Sequence, residues 1–408
     1  MEFRNLTPFS VMNYRMLDTE DQEYDVIAMK VGYQLLPAGK GEYLAELLPI
    51  MSLCVQDQYR GALNISQVLQ ESDLAPFKPK CDVIVNGTAY APEGKPCSSF
   101  PVRLSVMDAN GDMLLDKTLN ITGEREFFRP DNGQWQLSDP KPFNHLPLDY
   151  RDAFGGGCRI EAEDDKAAKA LTEEDKLSPE QRSQHPDGEK APIAHAVYEY
   201  NPIGTGFVLP WYAKAKDLPR YPAPRITHPN APITAHHFTD MLAGRFSATE
   251  PACQPQGMGV IGRAWLPRRT LAGTYDQTWL DERHPYLPQD FDFGYWNGAP
   301  QDQQIDWPST DITLQLTNLT PDGSLQTQLP GHRPFILFRM EDGALLPVLM
   351  NLDTLIIDTD AMTLELTFHL NFSIDFPIRV AEARFEINPK APLITFAPEQ
   401  EQDQDHGG

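Results

Sequence analysis

The acids best placed to do chemistry as pairs are Asp290 with Asp292 and Asp358 with Asp360. Two carboxyl groups flanking a cleft are the machinery of glycoside hydrolysis, one donating a proton while the other acts as base or nucleophile. A spacing of two puts both acids of a pair on one face of a strand. Phe291, Phe293, Tyr295 and Trp296 lie beside the first pair and could stack on sugar rings. Together these residues define one functional alternative, a carbohydrate-active hydrolase with an acidic pair in an aromatic-lined cleft. Asp358-Thr-Asp360 is equally well explained as a turn, where Asp side chains bond to nearby backbone. In a chain with 58 Asp and Glu, pairs at this spacing also arise by chance.

Other constellations fail on context. Gly257-Met-Gly259-Val-Ile-Gly262 has the spacing of a dinucleotide-binding turn, which needs a strand before it and a helix after it to present amides to pyrophosphate. Pro251 and Pro255 precede it and Pro267 follows closely, where proline would break a helix. His228, His236 and His237 lack the i, i+4 spacing by which a helix presents two imidazoles to one metal ion. Gly155, Gly156 and Gly157, with Asn201-Pro-Ile-Gly204, could form a nest of amides for phosphate, but sharp backbone turning explains them as well. No nucleophile elbow, P-loop or kinase signature is present. No catalytic residue, cofactor or metal is therefore expected.

Composition narrows the partners. The 408 residues carry 34 Lys and Arg against 58 Asp and Glu, a net charge of −24. That balance excludes nucleic-acid binding through clustered bases and disfavours an anionic membrane surface. No stretch approaches the roughly 18 consecutive apolar residues of a membrane span, and the start shows no basic segment leading into an apolar run. Membrane insertion is not expected. Five scattered cysteines, Cys54, Cys81, Cys97, Cys158 and Cys253, suit reduced and mostly buried thiols in a cytoplasmic protein.

The elements that must position these residues read as mainly β: antiparallel, sandwich-like sheets with a loop-rich middle and few short helices. Residues 1–154 are expected to form an N-terminal antiparallel β domain, with a hairpin turning at Asn110-Gly111 between Val102–Met107 and Met113–Leu119. Residues 155–305 form a middle region rich in proline, glycine and aromatics. It includes an acidic insertion at 161–190 with ten acids and five bases, expected to be exposed with a short helix near Lys166–Asp175. Residues 306–397 read as a C-terminal β-meander with turns at Asp322-Gly323, Asp342-Gly343 and Asp358–Asp360, and 398–408 as a disordered polar tail. The proline-stiffened aromatic loops suit recognition, because preformed loops lose little entropy on binding. Trp211, Trp265, Tyr295 and Trp296 are the aromatic partner-binding candidates, with Asp290 and Asp292 beside them. Each aromatic could equally fill a core.

Several blocks carry a resemblance. Tyr150-Arg-Asp-Ala-Phe-Gly-Gly-Gly157, Tyr200-Asn-Pro-Ile-Gly-Thr-Gly-Phe207, Gly262-Arg-Ala-Trp-Leu-Pro-Arg268 and Leu287-Pro-Gln-Asp-Phe-Asp292 follow one another in order. Leu329-Pro-Gly-His-Arg-Pro334 and Arg379-Val-Ala-Glu-Ala-Arg-Phe385 extend the series. The chain resembles, over nearly its whole length, a domain-of-unknown-function family encoded beside type VI secretion spike and effector genes in Gram-negative bacteria. The resemblance implies a cytoplasmic, non-enzymatic effector adaptor or chaperone. Its partners would be a secreted effector, often linked to a PAAR spike tip, and the spike itself. No catalytic residue is carried over from it. Gln304–Asp311 departs from an arginine-glycine-acid stretch expected there, which points to a different cargo. The −24 charge would favour a basic cargo segment.

Overall fold

Strand residues in this chain alternate between two very different surroundings. In Thr363–Ser373, Leu364, Leu366, Phe368 and Leu370 face one large apolar core, while Glu365, Thr367 and His369 face the other way. Cys81–Asn86 alternates in the same manner, with Val83 and Val85 in the core and Asp82 opposite. A computed structural model describes residues 1–131, 133–184 and 192–394, and it is mainly β, with 39% strand against 14% helix. The expected tail at 398–408 lies outside the described residues.

Three sheets surround the apolar core. The largest has the order Ser10–Leu17, Glu23–Pro37, Thr363–Ser373, Asn351–Asp358, Cys81–Asn86 and Gln304–Ile305, with Tyr43–Leu47 alongside the far half of Glu23–Pro37. The second runs Ile226–Thr227, Met113–Thr122, Ser99–Met107, Thr313–Thr317 and Ser324–Gln328. The third runs Glu2–Asn5, Ile378–Glu386, Arg333–Met340 and Leu345–Leu349. Their apolar faces meet in one cluster that includes Met29, Val83, Leu104, Leu316, Phe338 and Leu366.

Two expectations need correction. Every one of these sheets mixes strands from the first 150 and the last hundred residues, so boundaries at 154 and 305 divide sequence but not cores. The two ends meet in parallel pairs, Glu2–Asn5 with Ile378–Glu386 and Cys81–Asn86 with Asn351–Asp358, and in antiparallel ones, Glu23–Pro37 with Thr363–Ser373 and Ser99–Met107 with Thr313–Thr317. The C-terminal strands are also not one meander. They form three hairpins, each placed in a different sheet. Their turns are as expected, with Gly323 at φ 82° and Gly343 at φ 89°. At Asn110-Gly111 only the glycine has positive φ, 89°; Asp108 shapes the turn by accepting from the Asn110 and Asp112 amides, both at 2.8 Å.

The middle region has a core of its own. Phe154, Tyr198, Phe207 and Tyr221 pack there against Phe238 and Met241 of the Ala235–Leu242 helix, and Phe127 joins them from the N-terminal part. The acidic insertion is less exposed than expected. Its Asp165–Lys169 helix buries Ala167, and Leu171 follows it into a small cluster with Ile160, Ala194 and Ala215. Residues 185–190 of the insertion lie outside those described. All five cysteines are free thiols, four of them buried. Among the described residues no helix is long and apolar enough to cross a membrane.

The far face of the largest sheet is polar, yet covered. Residues 53–78 and 258–305 lie over it, held by charge. Asp73 receives Lys30 Nζ at 3.0 Å and the Thr367 hydroxyl at 2.8 Å. Lys78 Nζ reaches Asp82 at 2.8 Å and the Thr354 hydroxyl at 2.7 Å. A bulge between Leu352 and Thr354 brings Asp353 to the same face, where His369 Nδ1 lies 2.7 Å from its carboxylate. Nε2 of the same ring donates to the Asp73 carbonyl at 2.8 Å. Burial alone would pull the Lys30 and Lys78 ammoniums down, but the carboxylates around them raise both above the ordinary lysine value.

Removing one partner of a buried pair strands the other charge, at a cost of about 3–5 kcal/mol. Asp82→Ala is therefore expected to lower stability by at least that amount in urea unfolding, while Asp82→Ala with Lys78→Met recovers only the part owed to the stranded ammonium, since the Asn297, Gly298 and Ala299 donors stay unpaired. Equal losses in the two variants would show that the ion pair is not what the single change breaks. Alkali provides a second check. Burial pushes the phenols of Tyr14, Tyr33, Tyr150 and Tyr198 well above the ordinary tyrosine value. A group that holds its proton more tightly when folded stabilises the fold below its unfolded pKa, about 10 for Tyr and 10.4 for Lys, and loses that contribution as pH rises. Burial raises the Cys54, Cys81, Cys158 and Cys253 thiols as well, so the urea midpoint should hold to about pH 8 and fall from about pH 8.5 upward, more steeply above about pH 10. These tyrosines should ionise, by absorbance at 295 nm, only as the fold is lost.

Candidate partner-binding surface

The segment over the polar face carries most of the aromatic candidates, and Asp82 is what seats it. Asp82 is fully buried and accepts from the Asn297 side-chain amide at 3.0 Å and from the Gly298 and Ala299 backbone amides at 2.9 and 3.1 Å. Gln303, also fully buried, donates to the Val83 and Met258 carbonyls at 2.6 and 3.0 Å. Arg268 clamps the next layer. Its guanidinium meets Glu71 in a two-pronged pair at 2.7 Å on each side, and bonds the Tyr295 and Ile261 carbonyls, also at 2.7 Å.

On this footing six rings form a continuous tier. Trp307 packs on Phe77 at 5.9 Å, and Phe77 on Phe293 at 5.9 Å. Phe293 meets Phe291 at 5.3 Å, Phe291 meets Tyr295 at 5.7 Å, and Tyr295 meets Trp296 at 5.6 Å. Edge-to-face contacts of this kind hold rings in defined orientations. Arg268 lies over Tyr295 at 5.6 Å and Arg263 over Trp296 at 5.4 Å, which fixes that end of the tier by cation–π attraction.

The other end opens into a groove of about 450 Å³ walled by Tyr24, Phe77, Phe293 and Phe372, with Asp18 and Glu23 at its margin. Arg283 ties one wall in place, pairing with both Asp21 oxygens at 2.8 and 2.9 Å. Burial, then the nearby Asp18 carboxylate, pushes the Tyr24 phenol up and keeps it neutral. A smaller cavity of about 240 Å³ lies beneath the tier, between Leu271, Arg268 and Gln304. The arrangement presents apolar rings flanked by negative charge, which suits an apolar side chain next to a basic one.

The candidates divide clearly. Tyr295 and Trp296 stand in the tier, half-buried. Trp265 does not: it is buried, edge-on to Tyr150 at 5.6 Å. Trp211 sits far along the chain from the tier and packs against the middle-region core and the insertion cluster. Asp290 and Asp292 are each bonded to a partner of their own. Asp290 accepts from the Thr274 amide at 2.9 Å and hydroxyl at 2.7 Å, bonds that hold its carboxyl below the usual range. Asp292 caps the following turn through the Gly294 amide at 2.7 Å. Phe77, Trp307, Tyr24 and Phe372 were not singled out by sequence, since nothing local marks residues that meet only across the fold.

The other motifs are structural too. A Cβ on Gly257 would lie 2.5 Å from the Tyr150 ring, and one on Gly259 2.5 Å from the Gln67 amide. The nest at Gly155 and Gly156 is filled by Asn201, whose amide donates to the Tyr150 and Phe154 carbonyls at 2.8 and 3.0 Å. His237 is the third residue of its helix and completes a capping box with Thr234. His236 pairs with Asp240 at 3.3 Å. Among the described residues no cluster of His, Cys, Asp and Glu could hold a metal ion.

Arg268→Met should leave the Glu71 carboxylate with Arg263 alone, 3.3 Å away, and free the Tyr295 carbonyl. The expected result is a loss of about 3–5 kcal/mol in urea unfolding, with faster amide exchange at 293–297. Unchanged exchange there would mean that Arg268 does not hold the tier.

No curated protein and no solved structure matches this chain. A family described as "Uncharacterized protein conserved in bacteria (DUF2169)" matches residues 20–369, most of its length. The protein therefore belongs to the DUF2169 family of bacterial proteins.

Proposed function

We propose that the protein is a non-enzymatic adaptor that binds a type VI secretion effector, PAAR-linked in the expected case, and helps load it onto the secretion spike from the cytoplasm. The observation that carries the binding role is the open aromatic groove beside Asp18 and Glu23, built on a rigid tier. Preorganised aromatic walls lose little entropy on association and concentrate binding energy in a few contacts. The secretion context is supported by the resemblance of the sequence blocks and by membership in a bacterial family. The negative surface adds steering toward a basic segment, an effect that salt weakens. The hydrolase alternative gains nothing from the acids proposed for it, because the Asp290 and Asp292 carboxylates are both engaged in shaping their own turns.

The test is co-expression with the effector encoded beside the gene, followed by affinity measurement on the full-length chain. The effector should co-purify, and Phe293→Ala and Tyr24→Ala should each weaken binding about tenfold or more, the effect of losing one interface hot spot. Far-UV circular dichroism should stay unchanged in both variants. An effector that fails to bind, or that binds both variants like the parent protein, would contradict the proposal.

A further inference from the structure

The covered polar face of the largest sheet opens at one end. In the ladder between Cys81–Asn86 and Asn351–Asp358, Ile84 stands beside Ile356 and Asn86 beside Asp358. On the other side of Ile356 stands Glu365 of Thr363–Ser373. Strand residues alternate between faces, so Asn86, Asp358 and Glu365 share the face that bears Asp82 and Thr354. Val68 seals Ile84 and Ile356 on that face. Next to them the cover leaves a cavity of about 330 Å³, floored by Asn86, Asp358, Asp360 and Glu365 and walled by Gln58 and Gln70.

Its lining accepts hydrogen bonds and has few to give. Asp358 Oδ1 accepts from the Asp360 and Ala361 amides at 3.0 and 2.7 Å, and Asp360 Oδ2 from the Thr88 hydroxyl at 3.1 Å. Glu365 Oε2 pairs with Lys30 at 2.8 Å. The other oxygen of each carboxylate has no partner among the described residues. Asn86 adds a further acceptor. It is only 7% exposed, and its side-chain amide donates to the Leu69 carbonyl at 2.9 Å, while its Oδ1 is buried without a partner. An acceptor buried in that way is costly until a donor reaches it. The lining's own donors are engaged elsewhere: Arg60 with Asp149 at 3.3 Å and the Leu148 carbonyl at 3.4 Å, and the Gln70 amide with Asp73 at 3.4 Å.

Three carboxylates and a buried amide oxygen, against one guanidinium already held, call for a cation that carries several N–H donors. The carboxylates do not close on a single small ion, since no group among the described residues could hold a metal. A guanidinium suits them better. It spreads its charge over a plane, presents donors in a fork that matches carboxylates, and is weakly hydrated, so entry strips little water from it. The cavity volume is at the small end of ligand pockets. We infer that this cavity binds a guanidinium group, which donates to Asp358, Asp360 and the Asn86 side-chain oxygen. The Asp358 and Asp360 pair thereby gains a role beyond its turn. The inference does not rest on the adaptor reading, and it concerns different residues.

The probes are methylguanidinium and acetyl-arginine methylamide, each titrated calorimetrically into the full-length protein at low salt. Binding of the blocked arginine assigns the cavity to an arginine side chain of another polypeptide. Binding of methylguanidinium alone assigns it to a free guanidinium compound, and either result supports the inference. Methylurea has nearly the same shape without the charge, and tetramethylammonium has the charge without the donors. Neither should bind, a comparison independent of any folding defect. Asp358→Asn and Asp360→Asn keep an amide oxygen for the turn and for Thr88, and each should weaken binding about tenfold or more, with circular dichroism unchanged. Phe293→Ala should bind the probes normally, which separates this cavity from the aromatic groove. The inference is overturned if neither probe binds, if methylurea or tetramethylammonium binds as tightly, if both Asn variants keep the parent affinity, or if magnesium displaces the probe at equal concentration.

Discussion

A buried charged face is the constraint on which the rest of this structure depends. Lys30, Asp82, Asp353, Thr367 and His369 share one side of the largest sheet and are almost wholly shielded from water. Ions so placed are costly unless each finds a partner; some pair within the sheet, Lys30 with Glu365 and Asp353 with His369, both within 2.8 Å, and the other partners come from outside it. Asp73 and Lys78 arrive on the 53–78 segment, and Asn297, Gly298 and Ala299 on the aromatic segment. The two coverings are thus bonded to the sheet at defined points, and slipping either one would strand a charge. Apolar packing of Val68, Val260 and Ala299 on Ile84 and Ile356 adds adhesion between those points.

The proposed binding role rests on that seating. The aromatic tier holds a groove open because Asp82 and Arg268 fix its base while Arg283 ties the facing hairpin. A surface made rigid in this way can bind with little ordering cost, which is what an adaptor that must hold and then release cargo requires.

Local features were legible in the sequence. The glycine turns at Gly111, Gly323 and Gly343, the strands they join, and the free buried thiols all follow from rules that act over a few residues. The Tyr150 and Tyr200 blocks were legible as motifs, but their reason was not: Asn201 fills the turn made by Gly155 and Gly156 from fifty residues away. The sheet assignments were hidden for a similar cause. Alternation such as Glu365, Thr367 and His369 ordinarily marks a solvated face, and nothing local says that loops with matching charges will cover it. Four of the six rings of the tier could be named, since Phe291 to Trp296 is contiguous, whereas Phe77 and Trp307 join it only through the fold.

The central claim is that Asp82 makes the aromatic segment and the sheet one cooperative unit. Native-state amide exchange at Gly298 and Ala299 tests it most directly. If both amides are held by Asp82, they should exchange only through global unfolding, with the same free energy and urea dependence as Val83 and Val85. Exchange at Gly298 and Ala299 that is far faster and nearly independent of urea would mean that the segment opens by itself, and would contradict the account.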